Sequence, residues 1–129
     1  MNKITDLLNT FSISSWDDYE ILREKKTRPF PKIIKIKKNK HVFGILFDLI
    51  RIFNIRHDEI TNNHLEKLIL SGCYLSVDNL IYLFKNFPFF SPYMTNFSEL
   101  DLSENKNMNN SKVLQSMYDN LRKNKQKKN

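Results

Sequence analysis

Three sets of side chains in this sequence have the types that do chemistry, and each reads better as structure. Asp17, Asp18 and Glu20 form a carboxylate cluster of the kind that holds a metal or moves a proton. No histidine stands near them in sequence, and they follow Ser15, a helix N-cap type, so they read as charge opposing a helix N-terminus. His57 and His64, seven residues apart, would share a helix face as metal ligands, yet they flank the polar turn Thr61-Asn62-Asn63. Cys73 is the only cysteine, and a nucleophilic thiolate needs an exposed, electropositive setting. Its place in a strand-turn pattern favours burial instead. Two glycines cannot build a phosphate-cradling loop. The chain is therefore expected to be non-enzymatic, with no cofactor and no metal.

The pattern that positions Cys73 occurs three times, at spacings of 34 and 32 residues. The copies are Pro31-x-x-Ile34-x-Ile36-x-x-Asn39, Leu65-x-x-Leu68-x-Leu70-x-x-Cys73-x-Leu75 and Phe97-x-x-Leu100-x-Leu102-x-x-Asn105-x-x-Met108. This is the leucine-rich-repeat signature: a short strand, then a turn whose Asn or Cys faces inward to satisfy backbone groups left behind by the strand. Helix-period apolar residues follow each copy, beginning at Leu46, Leu80 and Val113. A strand-helix unit cannot bury its apolar side alone, so the copies must stack. The expected fold is α/β, a solenoid of about three repeats with a parallel sheet. Residues 1–28 form its N-terminal helical cap, 29–121 the repeats, and 122–129 a basic flexible tail.

Strand alternation then sorts side chains by face. Leu68, Leu70, Leu100 and Leu102 point inward and are expected to be almost fully buried. On the open face three rows should align: Ile33 with Lys67 and Glu99, Lys35 with Ile69 and Asp101, Lys37 with Ser71 and Ser103. They form the candidate partner-binding surface, positive at one side, apolar at Ile69, negative at the other. The proline-punctuated loop over 87–93 offers Phe89, Phe90 and Tyr93 as a second docking element if they are exposed.

Length and charge bound the rest. At 129 residues and 40% hydrophobic content the chain makes one compact unit. No apolar run reaches the roughly 18 residues of a membrane span; the best, 42–53, is broken by Asp48 and Arg51. A lone cysteine favours an intracellular, reducing compartment. Of 21 basic residues, nine lie between Arg23 and Lys40 and five in the tail from Arg122 onward, so the ends could touch RNA phosphates or anionic lipid. Ile4, Leu7, Leu8 and Phe11 stand at helical spacing and would cover the first strand, better than they would serve as a mitochondrial presequence, which is Arg-rich and acid-poor.

Trp16 and Tyr19, Lys32-Ile33-Ile34-Lys35-Ile36, the cysteine copy over 64–73 and Leu100-Asp101-Leu102-Ser103-Glu104-Asn105 with its terminal helix follow one another in a telling order. Over residues 15–123 this order resembles the mitochondrial ATP synthase coupling factor B (subunit s) family, whose relatives include assembly factors for the distal membrane arm of respiratory complex I. The resemblance implies a small repeat protein, peripheral to the mitochondrial inner membrane on the matrix side. The function expected is an accessory subunit or scaffold that binds protein in a larger complex. The alternative is a subunit of an RNA-protein particle, such as a mitochondrial ribosome or spliceosome, using its basic ends.

Overall fold

The computed structural model describes residues 9–24, 30–55 and 64–128, with side chains described through Arg122. Strand β1 (Thr10–Ile13) leads to helix α1 (Trp16–Glu24), and β2 (Ile33–Ile36) leads to α2 (Val42–Ile55). Then come β3 (Lys67–Ile69), α3 (Val77–Asn86), β4 (Glu99–Asp101), a 3-10 turn (Lys106–Asn109) and α4 (Ser111–Lys128). The four strands form one parallel sheet in chain order, β1-β2-β3-β4.

Local chemistry starts each helix. Ser15 Oγ accepts the Asp18 N–H at 3.2 Å, while Asp18 Oδ2 accepts the Ser14 N–H at 2.8 Å, a reciprocal cap for α1. Ser76 Oγ accepts the Asn79 N–H at 3.0 Å before α3, and Asn110 Oδ1 accepts the Lys112 N–H at 2.8 Å before α4. Helices of 9 to 14 residues, such as α1, α2 and α3, are marginal alone, so packing must hold them. Ile34, Ile36, Leu68 and Leu70 meet Ile45, Leu46, Leu49, Ile50 and Phe53 of α2 and Leu80, Leu83 and Phe84 of α3 in one buried cluster. Each such side chain contributes about 1.5 to 3 kcal/mol. Ile13, Tyr19 and Leu22 belong to the same cluster, which puts α1 on that side of the sheet as well.

Three expectations change. Phe11 belongs to a strand, since Thr10–Ile13 pairs with β2 in the register Phe11 to Ile34 and Ile13 to Ile36. An extended edge gives the sheet a fourth layer and satisfies its backbone: Lys37 N–H donates to Ile13 C=O at 2.8 Å. Ile4, Leu7 and Leu8 lie outside the described residues. The basic tail continues α4 as backbone helix to Lys128 instead of leaving it at Arg122, because its Lys, Arg and Gln residues are themselves good helix formers. Leu100 and Leu102 are only half-buried, for β4 is the last strand among the described residues, whereas Leu68 and Leu70 are fully buried.

Candidate functional site

The turns after the strands are held by buried side chains. Cys73 Sγ donates to Ile36 C=O at 2.9 Å, and Asn105 Nδ2 donates to Leu70 C=O at 2.9 Å, so each reaches back to the end of the preceding strand. Asn105 also accepts the Leu75 N–H at 3.0 Å. Both residues are buried, and burial pushes the Cys73 thiol up to about 11, which suits a structural thiol. Asn39 differs, bonding only locally to Lys37 C=O and His41 N–H, each at 2.8 Å, and it is half-buried.

Two of the three rows on the open face lie in register as read from the sequence: Ile33, Lys67 and Glu99, then Lys35, Ile69 and Asp101. Lys37, Ser71 and Ser103 follow the strand ends. Lys67 Nζ stands 3.8 Å from Glu99 Oε1, and Lys32 Nζ stands 4.0 Å from Glu66 Oε2, partly exposed pairs worth at most about 1 kcal/mol. Asp101 Oδ1 accepts both the N–H and the Oγ–H of Ser103, at 2.9 and 2.7 Å. Ile69 is half-buried and forms the apolar centre. Ile33 departs from expectation: only 4% of its surface is exposed. It sits between Thr10 and Lys67 in register, apart from the main core, and the added strand β1 makes it an interior position. It drops out of the candidate contact surface.

In the loop, Phe87 and Met94 are buried, and Phe89 and Phe90 are half-buried. Phe89 packs 4.8 Å from Phe87, centroid to centroid, and 6.5 Å from Phe97. The loop thus fills space beside the last strand, with Tyr93 the exposed member at 43%. Phe89 and Phe90 also wall an open groove of about 920 Å3 under β4, lined further by Leu100, Leu102, Met108 and Met117. The run of aromatics was compatible with a packed loop and with an exposed docking patch, and the groove depends on where the sheet stops.

Asp17 and Asp18 lie in the first turn of α1, as the helix-start reading of the acidic cluster expects. Asp18 caps α1, and Glu20 pairs with Arg23 at 2.9 Å. His64 Nδ1 lies 3.4 Å from Phe30 C=O; His57 is outside the described residues. Among the described residues no three His, Cys, Asp or Glu side chains gather where they could hold a metal ion, and no helix is long and apolar enough to cross a membrane.

A polar cluster escaped the sequence reading. Tyr19 Oη donates to Asp48 Oδ2 at 2.6 Å, and Arg51 Nη2 donates to Asp48 Oδ1 at 2.6 Å, with Arg23 at 3.6 Å from the same carboxylate. Partial burial pushes the Asp48 carboxyl upward. The bonds from Tyr19 and Arg51 and the charges of Arg51 and Arg23 outweigh that, holding it below the ordinary aspartate value. Burial and the bond to Asp48 drive the Tyr19 hydroxyl far above its ordinary range, so it stays a donor. The cluster ties α1 to α2. Its signal was Asp48 interrupting an otherwise apolar helix.

Comparison of the chain with protein-family models, with curated proteins and with solved structures finds no match.

Proposed function

We propose that the chain is a non-enzymatic protein-binding scaffold, a short leucine-rich-repeat solenoid whose open sheet face docks a protein partner. One observation carries this reading. Parallel sheets are ordinarily covered on both faces, yet here the helices gather on one side and Lys35, Ile69 and Asp101 stand in register on the other. Strands that adjoin in chain order, with Cys73 and Asn105 bonding back to equivalent carbonyls, support the repeat part of the proposal. A face graded from Lys35 through Ile69 to Asp101 suits a protein of mixed charge, because Glu99 and Asp101 repel phosphates. The sequence resemblance makes a mitochondrial ATP synthase or respiratory assembly the first partner to test.

The experiment is mass spectrometry of what co-purifies with the tagged chain, repeated with Ile69→Asp and Lys35→Glu. Each variant is expected to lose the partner while its thermal melt stays unchanged. Normal binding by both, with loss on substitution of Phe89, Phe90 and Tyr93, would move the contact to the loop. The RNA-particle alternative draws on the exposed Lys37, Lys38 and Lys40. It predicts capture that fades steeply between 50 and 200 mM salt, on the order of 10³-fold for several phosphate contacts, whereas an apolar interface persists.

A further inference from the structure

The free edge of β4, with the groove beneath it, borders the open sheet face and shares Glu99 and Asp101 with it. In a parallel pair, alternate residues turn their backbone groups toward the neighbouring strand and those between turn theirs away. Glu99 and Asp101 face β3: Glu99 N–H donates to Glu66 C=O at 3.1 Å, and Asp101 C=O accepts from Leu70 N–H at 2.8 Å. Leu100 therefore directs its N–H and C=O outward, where β4 has no neighbour among the described residues. Beneath that edge the groove of about 920 Å3 presents Phe89, Leu100, Leu102 and Met117. Backbone donors above an apolar trough are what an incoming strand needs.

We infer that this end of the sheet receives an extended segment of a partner protein as a fifth strand, with large apolar side chains at alternate positions in the groove and Lys or Arg between them. Charge decides the second half of that pattern. Lys67, one strand back, already reaches Glu99 across 3.8 Å, and a basic residue at the strand spacing of about 4.8 Å on the other side meets Glu99 and Asp101 in the same way. Lys106, the basic residue on the groove wall, lies beyond the turn and outside these rows.

The same charges argue against a second copy of the chain. Joined edge to edge about a twofold axis, two β4 strands would run antiparallel and set Glu99 of one opposite Asp101 of the other, like charge on like. Joined head to tail, the incoming β1 would present Thr10 and Ser12 in those rows, with no cation. A basic, apolar strand from another protein answers both objections.

The test uses the full chain and two labelled, N-acetylated peptides, Lys-Leu-Lys-Leu-Lys-Leu and Glu-Leu-Glu-Leu-Glu-Leu, followed by fluorescence anisotropy. The basic peptide is expected to bind at least tenfold tighter, although a net charge of +7 would favour the acidic one if attraction were non-specific. Glu99→Lys with Asp101→Lys should reverse the preference. Binding should slow hydrogen exchange of the Leu100 amide at least tenfold and weaken at least tenfold in Leu102→Asp, while Ile69→Asp leaves it unchanged. Preference for the acidic peptide overturns the inference. So does loss of binding in Ile69→Asp with the Leu100 amide unaffected, which would assign the peptide to the sheet face. Self-association in sedimentation that competes with the peptide would make the occupant a second copy.

Discussion

The two ends of the sheet are built from the same parts and finished differently. At one end Ile13 of β1 and Tyr19 of α1 are wholly buried, and the Tyr19 hydroxyl is clasped by Asp48. At the other end β4 repeats the apolar positions of β3, Leu68 and Leu70 recurring as Leu100 and Leu102, but Leu100 and Leu102 stay half-buried above a groove. A repeat motif states which side chains point inward; how far they are buried depends on whether another layer follows. The end closed by β1 and α1 buries its apolar side chains, and the end at β4 leaves its own partly exposed.

The largest effect that tests this contrast comes from truncating the same leucine in two layers. Leu70→Ala is expected to cost about 2 to 5 kcal/mol, since its fully buried site cannot collapse around the loss. Leu102→Ala, already open to the groove, should cost only about 1 kcal/mol. Urea melts of both variants measure the difference. Equal losses would mean that something covers the groove in solution.

The closed end should also show itself in acid. Asp48 has a folded pKa held below its ordinary value, so its contribution is present above about pH 4 and is lost as the pH falls through the folded value. Tyr19→Phe removes a hydrogen bond to a charged acceptor and is expected to cost about 1.5 to 3 kcal/mol at pH 7. It should also flatten the acid limb of the stability curve, because Asp48 is then less depressed. An unchanged acid limb would show that Arg51 and Arg23 alone hold the carboxylate.

Legibility followed the length scale of each cause. The Ser15 cap and the inward turn residues Cys73 and Asn105 were readable because local hydrogen bonding fixes them within a few residues, and the parallel strands and the register of Ile33 with Lys67 and Glu99 because the strand pattern recurs at spacings of 34 and 32 residues. β1 was not, since Phe11 fits a helical period as well as a strand, and pairing with a segment 23 residues further on decided the matter. Burial of Ile33 followed from that unseen strand. The Tyr19–Asp48 bond joins residues 29 apart, and only the oddity of Asp48 in an apolar helix hinted at it. The groove was invisible for another reason: it is set by where the sheet ends, and periodicity carries no information about a missing neighbour.

The smallest effect separates the two turns themselves. Gly72 and Glu104, each one residue before the buried turn side chain, take the left-handed backbone with φ of +67° and +60°. That conformation costs an ordinary residue about 1 to 2 kcal/mol and glycine almost nothing. A Cβ on Gly72 would come no closer than 3.9 Å to Glu104 Oε1, an ordinary contact, so only the backbone penalises a substitution there. Gly72→Ala should therefore cost about 1 kcal/mol once the reduced freedom of the unfolded chain is subtracted. Glu104→Gly should do the reverse, relieving the strain at some cost in chain entropy and raising stability by up to about 1 kcal/mol. Thermal melts that move in opposite directions would establish the two turns as one motif with different residues in the strained seat. Melts that move together would show that the turn at the open end is held by other means, and that the resemblance between β3 and β4 stops at their strands.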